Sequence, residues 1–253
     1  MRARVFLGLC VLLSLGALPY AAAKNPDAAS LFQEANTSYR AGEYARAATL
    51  YEKLIGQGEK DAALHYNLGN AYYKESRIGL ALLQYEKGRK IAPRDRDLLA
   101  NLNYVRGLLE YRVEDKRNWY LRAIESALTF FTEEELGIVS LTLSLLFWVG
   151  WIIALYLKPE ASWGWKRKTV LVFASLALSI WLMKGIHDLT SQEAIVLKPQ
   201  GTVRYGPSYK DQVALRLGEG IKVRVTKREG EWSRILLVNG ETGWTAQEEM
   251  GVI

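Results

Sequence analysis

The sequence predicts a multidomain membrane protein in three successive parts: an all-α array of repeated helix pairs, a two-helix transmembrane hairpin and an all-β small barrel. Three observations carry this prediction. Residues recur at an offset of 34 within 27–111; two uncharged apolar runs flank a basic loop at 158–168; and after Gln192 the pattern becomes short alternating strands.

The chain opens with Arg2 and Arg4, an apolar core from Val5 to Leu18 and the small residues Ala21, Ala22 and Ala23. This is the layout of a secretory signal peptide over 1–23, which predicts an N-terminal domain outside the cytoplasm. Cys10 is the only cysteine, so disulfides, thiolate metal sites and cysteine catalysis are excluded from the mature chain.

In the first domain (27–111), Ala35, Asn36, Tyr39, Ala47, Tyr51, Glu52 and Lys53 recur as Gly69, Asn70, Tyr73, Ala81, Tyr85, Glu86 and Lys87. The period is that of a tetratricopeptide helix pair. Small residues at Ala35, Gly69, Ala47 and Ala81 let antiparallel helices approach, Tyr51 and Tyr85 fill the gap between pairs, and Pro93 ends the second pair. Arrays of this kind bind extended peptide or a partner helix along their inner helices. The expected partner-binding face comprises Phe32, Asn36, Tyr39 and Arg40 with Tyr66, Asn70, Tyr73 and Lys74. Asn36 and Asn70 are candidates for holding a ligand backbone, since an amide offers donor and acceptor together.

Residues 117–131 place Leu121, Ile124, Leu128 and Phe131 on one helical face, which predicts an amphipathic helix at the membrane surface or against the repeats. Thr132 and Glu135 form a capping box ahead of the first apolar run, Leu136–Leu157, so the first transmembrane helix is expected over 133–157. The loop 158–168 carries Lys158, Lys166, Arg167 and Lys168 against Glu160 alone. Such a loop is expected in the cytoplasm. A second span is expected over 169–186. Ser140, Ser144, Ser175 and Ser179 give these runs small-residue spacing suited to close helix packing. Both flanking domains would then face outward, giving a two-pass protein of the inner (cytoplasmic) membrane with periplasmic domains.

Most of the formal charge of +6 resides in the leader and in that loop. A nucleic-acid surface is therefore not expected. His65 and His187 are too few and too distant to form a metal site or an acid/base pair, and no catalytic set or cofactor motif is present. The expectation is a protein without enzymatic activity, cofactor or metal.

Over 192–253, Ile221, Val223 and Val225 alternate with Lys222, Arg224 and Thr226, and Asn239-Gly240 marks a tight hairpin. Five or six strands are expected to close a small barrel. The succession Val203-Arg204-Tyr205-Gly206-Pro207-Ser208, Leu217-Gly218-Glu219-Gly220, Gly230-Glu231-Trp232 and Thr242-Gly243-Trp244 resembles bacterial SH3-like domains. That resemblance implies binding to peptidoglycan peptides or protein partners, with Tyr205, Trp232 and Trp244 as the candidate groove.

The order of parts, with Tyr66-Asn67-Leu68-Gly69-Asn70-Ala71-Tyr72-Tyr73-Lys74, Arg77-Ile78-Gly79 and Ala92-Pro93-Arg94-Asp95, resembles the BatE proteins of the Bacteroides aerotolerance group. The resemblance implies a non-enzymatic membrane adaptor that works beside a MoxR-type ATPase and membrane proteins with von Willebrand factor A domains, in tolerance of oxidative stress. The alternative is a cell-wall-binding envelope module that recruits a peptidoglycan enzyme.

Overall fold

The computed structural model describes residues 26–109, 113–156 and 192–253, together with residues 172, 175, 179, 181, 182 and 185. The expected signal peptide (1–23), the loop 158–168 and most of the expected second span lie outside the described residues. One compact unit comprises Ser30–Glu133 and Met183–Ile253; Glu134–Leu182 belongs to the other.

Among the described residues five helices come first: α1 (Pro26–Arg40), α2 (Tyr44–Gly56), α3 (Ala62–Lys74), α4 (Ile78–Ile91) and α5 (Arg96–Gly107). Their ends have local causes. The Asp61 carboxylate accepts from the Ala63 amide at 2.8 Å, and that of Asp95 accepts from Asp97 and Leu98, each at 3.0 Å. These side chains satisfy amides that a helix start leaves open. The α1–α2 turn uses Gly42 at φ 81°, and 34 residues later the α3–α4 turn uses Ser76 at φ 61°.

Close approach of the helices follows from small residues. Ala35, Ala47 and Ala81 are fully buried. A Cβ at Gly69 would stand 2.6 Å from the Tyr85 ring, so the tyrosine occupies the space that the missing side chain leaves. Gly88, where the helix would prefer alanine, is explained in the same way: a Cβ there would meet Leu98 Cδ1 at 2.6 Å.

Helix α6 (Trp119–Phe130) has no buried residue, and Trp119 is 74% exposed. Helix α7 spans Glu133–Tyr156. Here the expected architecture is corrected. Among the described residues no helix is long and apolar enough to cross a membrane, so the two-helix transmembrane hairpin is not the architecture found. The first turn of α7 is acidic, with Glu133, Glu134 and Glu135, and the Thr142 hydroxyl bonds to the Ile138 carbonyl at 2.8 Å. A span needs about 20 consecutive apolar residues. The Ser175 and Ser179 hydroxyls, expected at a helix seam, also bond to carbonyls of their own segment, those of Val172 and Ser175.

The C-terminal part is one antiparallel sheet of seven strands: β1 (Gln192–Val196), β2 (Gly201–Arg204), β3 (Val213–Leu217), β4 (Lys222–Glu229), β5 (Trp232–Leu236), β6 (Thr242–Ala246) and β7 (Met250–Val252), in the order β3-β2-β6-β5-β4-β1-β7. The last strand was not expected. Ala194, Val196, Val203, Leu217, Ile221, Val223, Val225, Ile235, Leu237 and Met250 form one core. The sheet coils around it. Gly201 of β2 approaches Val196 of β1 so closely that a Cβ would meet it at 2.7 Å, although the two strands are four places apart in the sheet order. Buried Glu249 ties the same corner, accepting from the Thr202 amide at 2.9 Å and pairing with Lys198 at 3.4 Å.

Helix α4 connects array and sheet. Gly79, Ala81, Leu82, Leu83, Tyr85 and Gly88 are all buried, as are Gln84 and Glu86, so neighbours cover most of its surface. It packs on α3, α5, β1 and β7. The Gly79 amide donates to Glu219 at 2.6 Å, and a Cβ at Gly251 would meet Leu83 at 2.3 Å. Between them Glu86 is fully buried, paired with Arg89 at 3.0 Å, with Arg106, and with Lys222 of β4 at 3.7 Å. Burial alone would push the Glu86 carboxyl up, but Lys222, Arg106 and Arg89 together hold it down at about 2.

Candidate functional site

Two surfaces gather the residues that the sequence singles out. On the helical array, the asparagines repeat a hydrogen-bonded motif. The Asn36 carbonyl oxygen accepts from the Tyr51 hydroxyl at 2.6 Å and from Asn67 at 3.3 Å; that of Asn70 accepts from Tyr85 at 2.7 Å and from Asn101 at 2.8 Å. Burial, helped by Tyr39, pushes the Tyr51 hydroxyl up to about 12, so it remains a donor at every physiological pH. Burial raises Tyr85 as well.

This changes what the asparagines offer. Their acceptors serve the array itself, and only the amide hydrogens remain for a ligand backbone. Phe32 and Tyr66 pack against Tyr51 and Tyr85, with ring centroids 6.0 and 6.2 Å apart. Tyr39 packs edge-on to Tyr44. Tyr73 meets Tyr104 at 6.0 Å, and Tyr104 is an exposed aromatic that the expected face omits. Arg40 and Lys74 are exposed helix ends. His65 is a core residue: its Nδ1 lies 2.8 Å from Gln84 Oε1, and burial lowers its pKa against the opposing pull of that bond.

The second surface is the outer face of the sheet. Val203 and Ile235 point into the core, so by strand alternation their neighbours Arg204 and Arg234 point away from it. Trp244 is the register partner of both, and Trp232 lies two residues from Arg234 on β5. Cross-strand partners share a face. Arg204, Trp232, Arg234 and Trp244 therefore stand together outside the core.

The loop after β2 closes over one end of this face. It turns back through the Tyr205 amide on the Gln212 carbonyl at 3.1 Å and the Asp211 amide on the Ser208 carbonyl at 3.1 Å. The turn brings the Tyr209 ring edge-on to Trp232 with centroids 4.8 Å apart. Arg204 lies 6.0 Å from the Tyr209 centroid while donating to the Asp211 carbonyl at 2.6 Å; Lys227 Nζ stands 5.7 Å from the Trp244 centroid.

Of the three expected groove residues, Tyr205 is 72% exposed, Trp244 is half-buried and Trp232 is only 8% exposed. Trp232 is thus the floor beneath Tyr209 rather than an open wall. Sequence reasoning missed Tyr209, Lys227 and Arg234. Strand register brings the last two to Trp244; the available signal for Arg234 was its place two residues from Trp232 on an alternating strand, whereas no local pattern marks Lys227.

A family model for the bacterial SH3 domain matches residues 198–250. No curated protein matches the chain. Among solved structures, an NlpC/P60 family protein from Bacillus cereus is 18% identical, with a TM-score of 0.22, over 28% of this chain and 23% of that one. The match thus spans less than a quarter of that protein.

Proposed function

We propose that this chain is a non-enzymatic envelope protein whose bacterial SH3 domain binds peptidoglycan while its helix pairs, read as tetratricopeptide repeats, hold a protein partner. The observation that carries the reading is the outer face of the sheet. There Tyr209, Trp232 and Trp244 lie beside Arg204, Lys227 and Arg234, with Tyr205 exposed at the rim. Wall polymer offers sugar rings to stack on aromatic faces and stem-peptide carboxylates to pair with guanidinium and ammonium groups. The signal-like leader supports a location outside the cytoplasm, and the exposed apolar residues of α6 support a position at a membrane surface.

A second reading, an adaptor for von Willebrand A-domain membrane proteins and their MoxR-type ATPase in aerotolerance, is favoured by the exposed Tyr73–Tyr104 pair on the array. The two readings separate in one experiment. The full chain and its Trp244→Ala and Tyr205→Ala variants are sedimented with purified peptidoglycan, and crosslinked partners are recovered from membranes in parallel. Retention that falls about tenfold in either variant, a loss of about 1.4 kcal/mol, supports wall binding. No retention of the native chain, with A-domain proteins crosslinked to the repeats, transfers the function to the adaptor reading.

A further inference from the structure

A cleft of about 470 Å³ opens where α4 and α5, the segment 115–129 and strands β1, β4 and β5 meet, all within one unit. Its lining includes six basic and three acidic side chains, but their pairing is unequal. Asp115 and Glu125 both bind Arg117, the first at 2.8 Å, and Glu193 binds Lys222 at 2.7 Å. Arg89 and Arg106 are committed to buried Glu86. Two cations are left. Among the described residues neither Arg122 nor Arg224 forms an ion pair with a carboxylate, although Arg122 acts on Asp115 and Glu193 is the cross-strand register partner of Arg224; the Nε of Arg224 is buried without any hydrogen-bond acceptor.

We propose that this cleft binds a small ligand through its carboxylate, gripped by Arg224 with Arg122 at the mouth. A buried donor without an acceptor costs about 1–3 kcal/mol, and a carboxylate is the acceptor that matches a guanidinium edge two bonds at a time. Phosphate also fits that edge. The lining decides between them: half-buried Leu99, Leu236 and Val238 supply apolar wall that an organic acid covers and an inorganic anion leaves bare. The volume admits a ligand of amino-acid to dipeptide size and excludes a folded polymer end. Its lining shares no residue with the aromatic face of the sheet, and the site stands whether or not the chain binds cell wall.

The test is calorimetric titration of the purified full chain with N-acetyl-alanyl-glutamate, its fully amidated analogue and inorganic phosphate. The diacid is expected to bind, with affinity at least tenfold lower in Arg224→Gln at unchanged melting temperature, and lower also in Arg122→Gln. The amidated analogue is expected not to bind. Because Arg122 sits on an exposed helix, its variant decides the matter should Arg224→Gln fail to fold. No binding of the diacid at millimolar concentration overturns the site; so does native-like binding by the folded variants, or equal binding of the amidated analogue. Phosphate binding tighter than the diacid overturns the assignment to a carboxylate.

Discussion

Tyr85 couples two kinds of stabilisation. Its ring fills the space above Gly69, and its hydroxyl donates to Asn70. Replacing Tyr85 with Ala is expected to cost about 3–5 kcal/mol through the cavity it opens, whereas Tyr85→Phe loses only the bond, about 1 kcal/mol. Urea denaturation of both variants distinguishes packing from hydrogen bonding. Glu86 carries a pH signature. Its folded-state pKa of about 2 lies below the ordinary 4.5. The stability it contributes is therefore complete above pH 4.5 and is lost as pH falls toward 2. Glu86→Gln, which leaves three cations around a neutral amide, is expected to cost about 3 kcal/mol at pH 7 and to flatten the acid limb between those values. His65, whose pKa burial lowers below 6.5, adds in both proteins a loss of stability as pH falls below 6.5.

At the scale of elements, the two helix turns that occupy equivalent places in the repeat differ in strain. Gly42 adopts its left-handed conformation freely, while Ser76 places a Cβ in the same region. Ser76→Gly is expected to raise stability by about 1 kcal/mol in thermal denaturation, whereas Gly42→Ala lowers it by a similar amount. The α4–sheet contact is stiffer. A Cβ at Gly79 would meet the Val196 carbonyl at 2.9 Å, and that carbonyl also accepts from the Gly220 amide at 2.8 Å. Backbone cannot rotate aside as a side chain does. Gly79→Ala is expected to cost about 1–3 kcal/mol and to speed hydrogen exchange at the Gly220 amide, leaving exchange in α1 and α2 unchanged.

For the whole molecule, the Glu86 cluster and the Leu83–Gly251 contact make the repeats and the SH3 domain parts of one cooperative unit. Residues 192–253 expressed alone are expected to melt several degrees below the same domain in the full chain, because β1 and β7 lose their helical cover. Equal melting temperatures would show that the contact adds nothing to the domain's stability. Coupling of this kind also means that a ligand in the cleft, which touches array and sheet together, stabilises their contact by RT ln(1 + c/Kd) at free ligand concentration c.

The sequence by itself determined most of the strands and helices and which of their faces are apolar. Ile221, Val223 and Val225 are buried in the alternation they display, and the recurrence at 34 residues reappears as two equivalent Tyr–Asn–Asn bond sets. β7 escaped because three residues are too few to display a period. The apolar run within 133–157 was legible as a helix, but length and composition alone overstated its continuity as a span. Only the tertiary structure decided what covers each face. Glu52 and Glu86 hold the same place in the repeat, yet Glu52 is exposed and Glu86 is sealed beneath β4. Likewise Tyr209 reaches Trp232 only because a turn folds the loop back. Local periodicity records where a side chain points along its own element, whereas burial and partnership depend on residues far away in the chain, to which no local pattern refers.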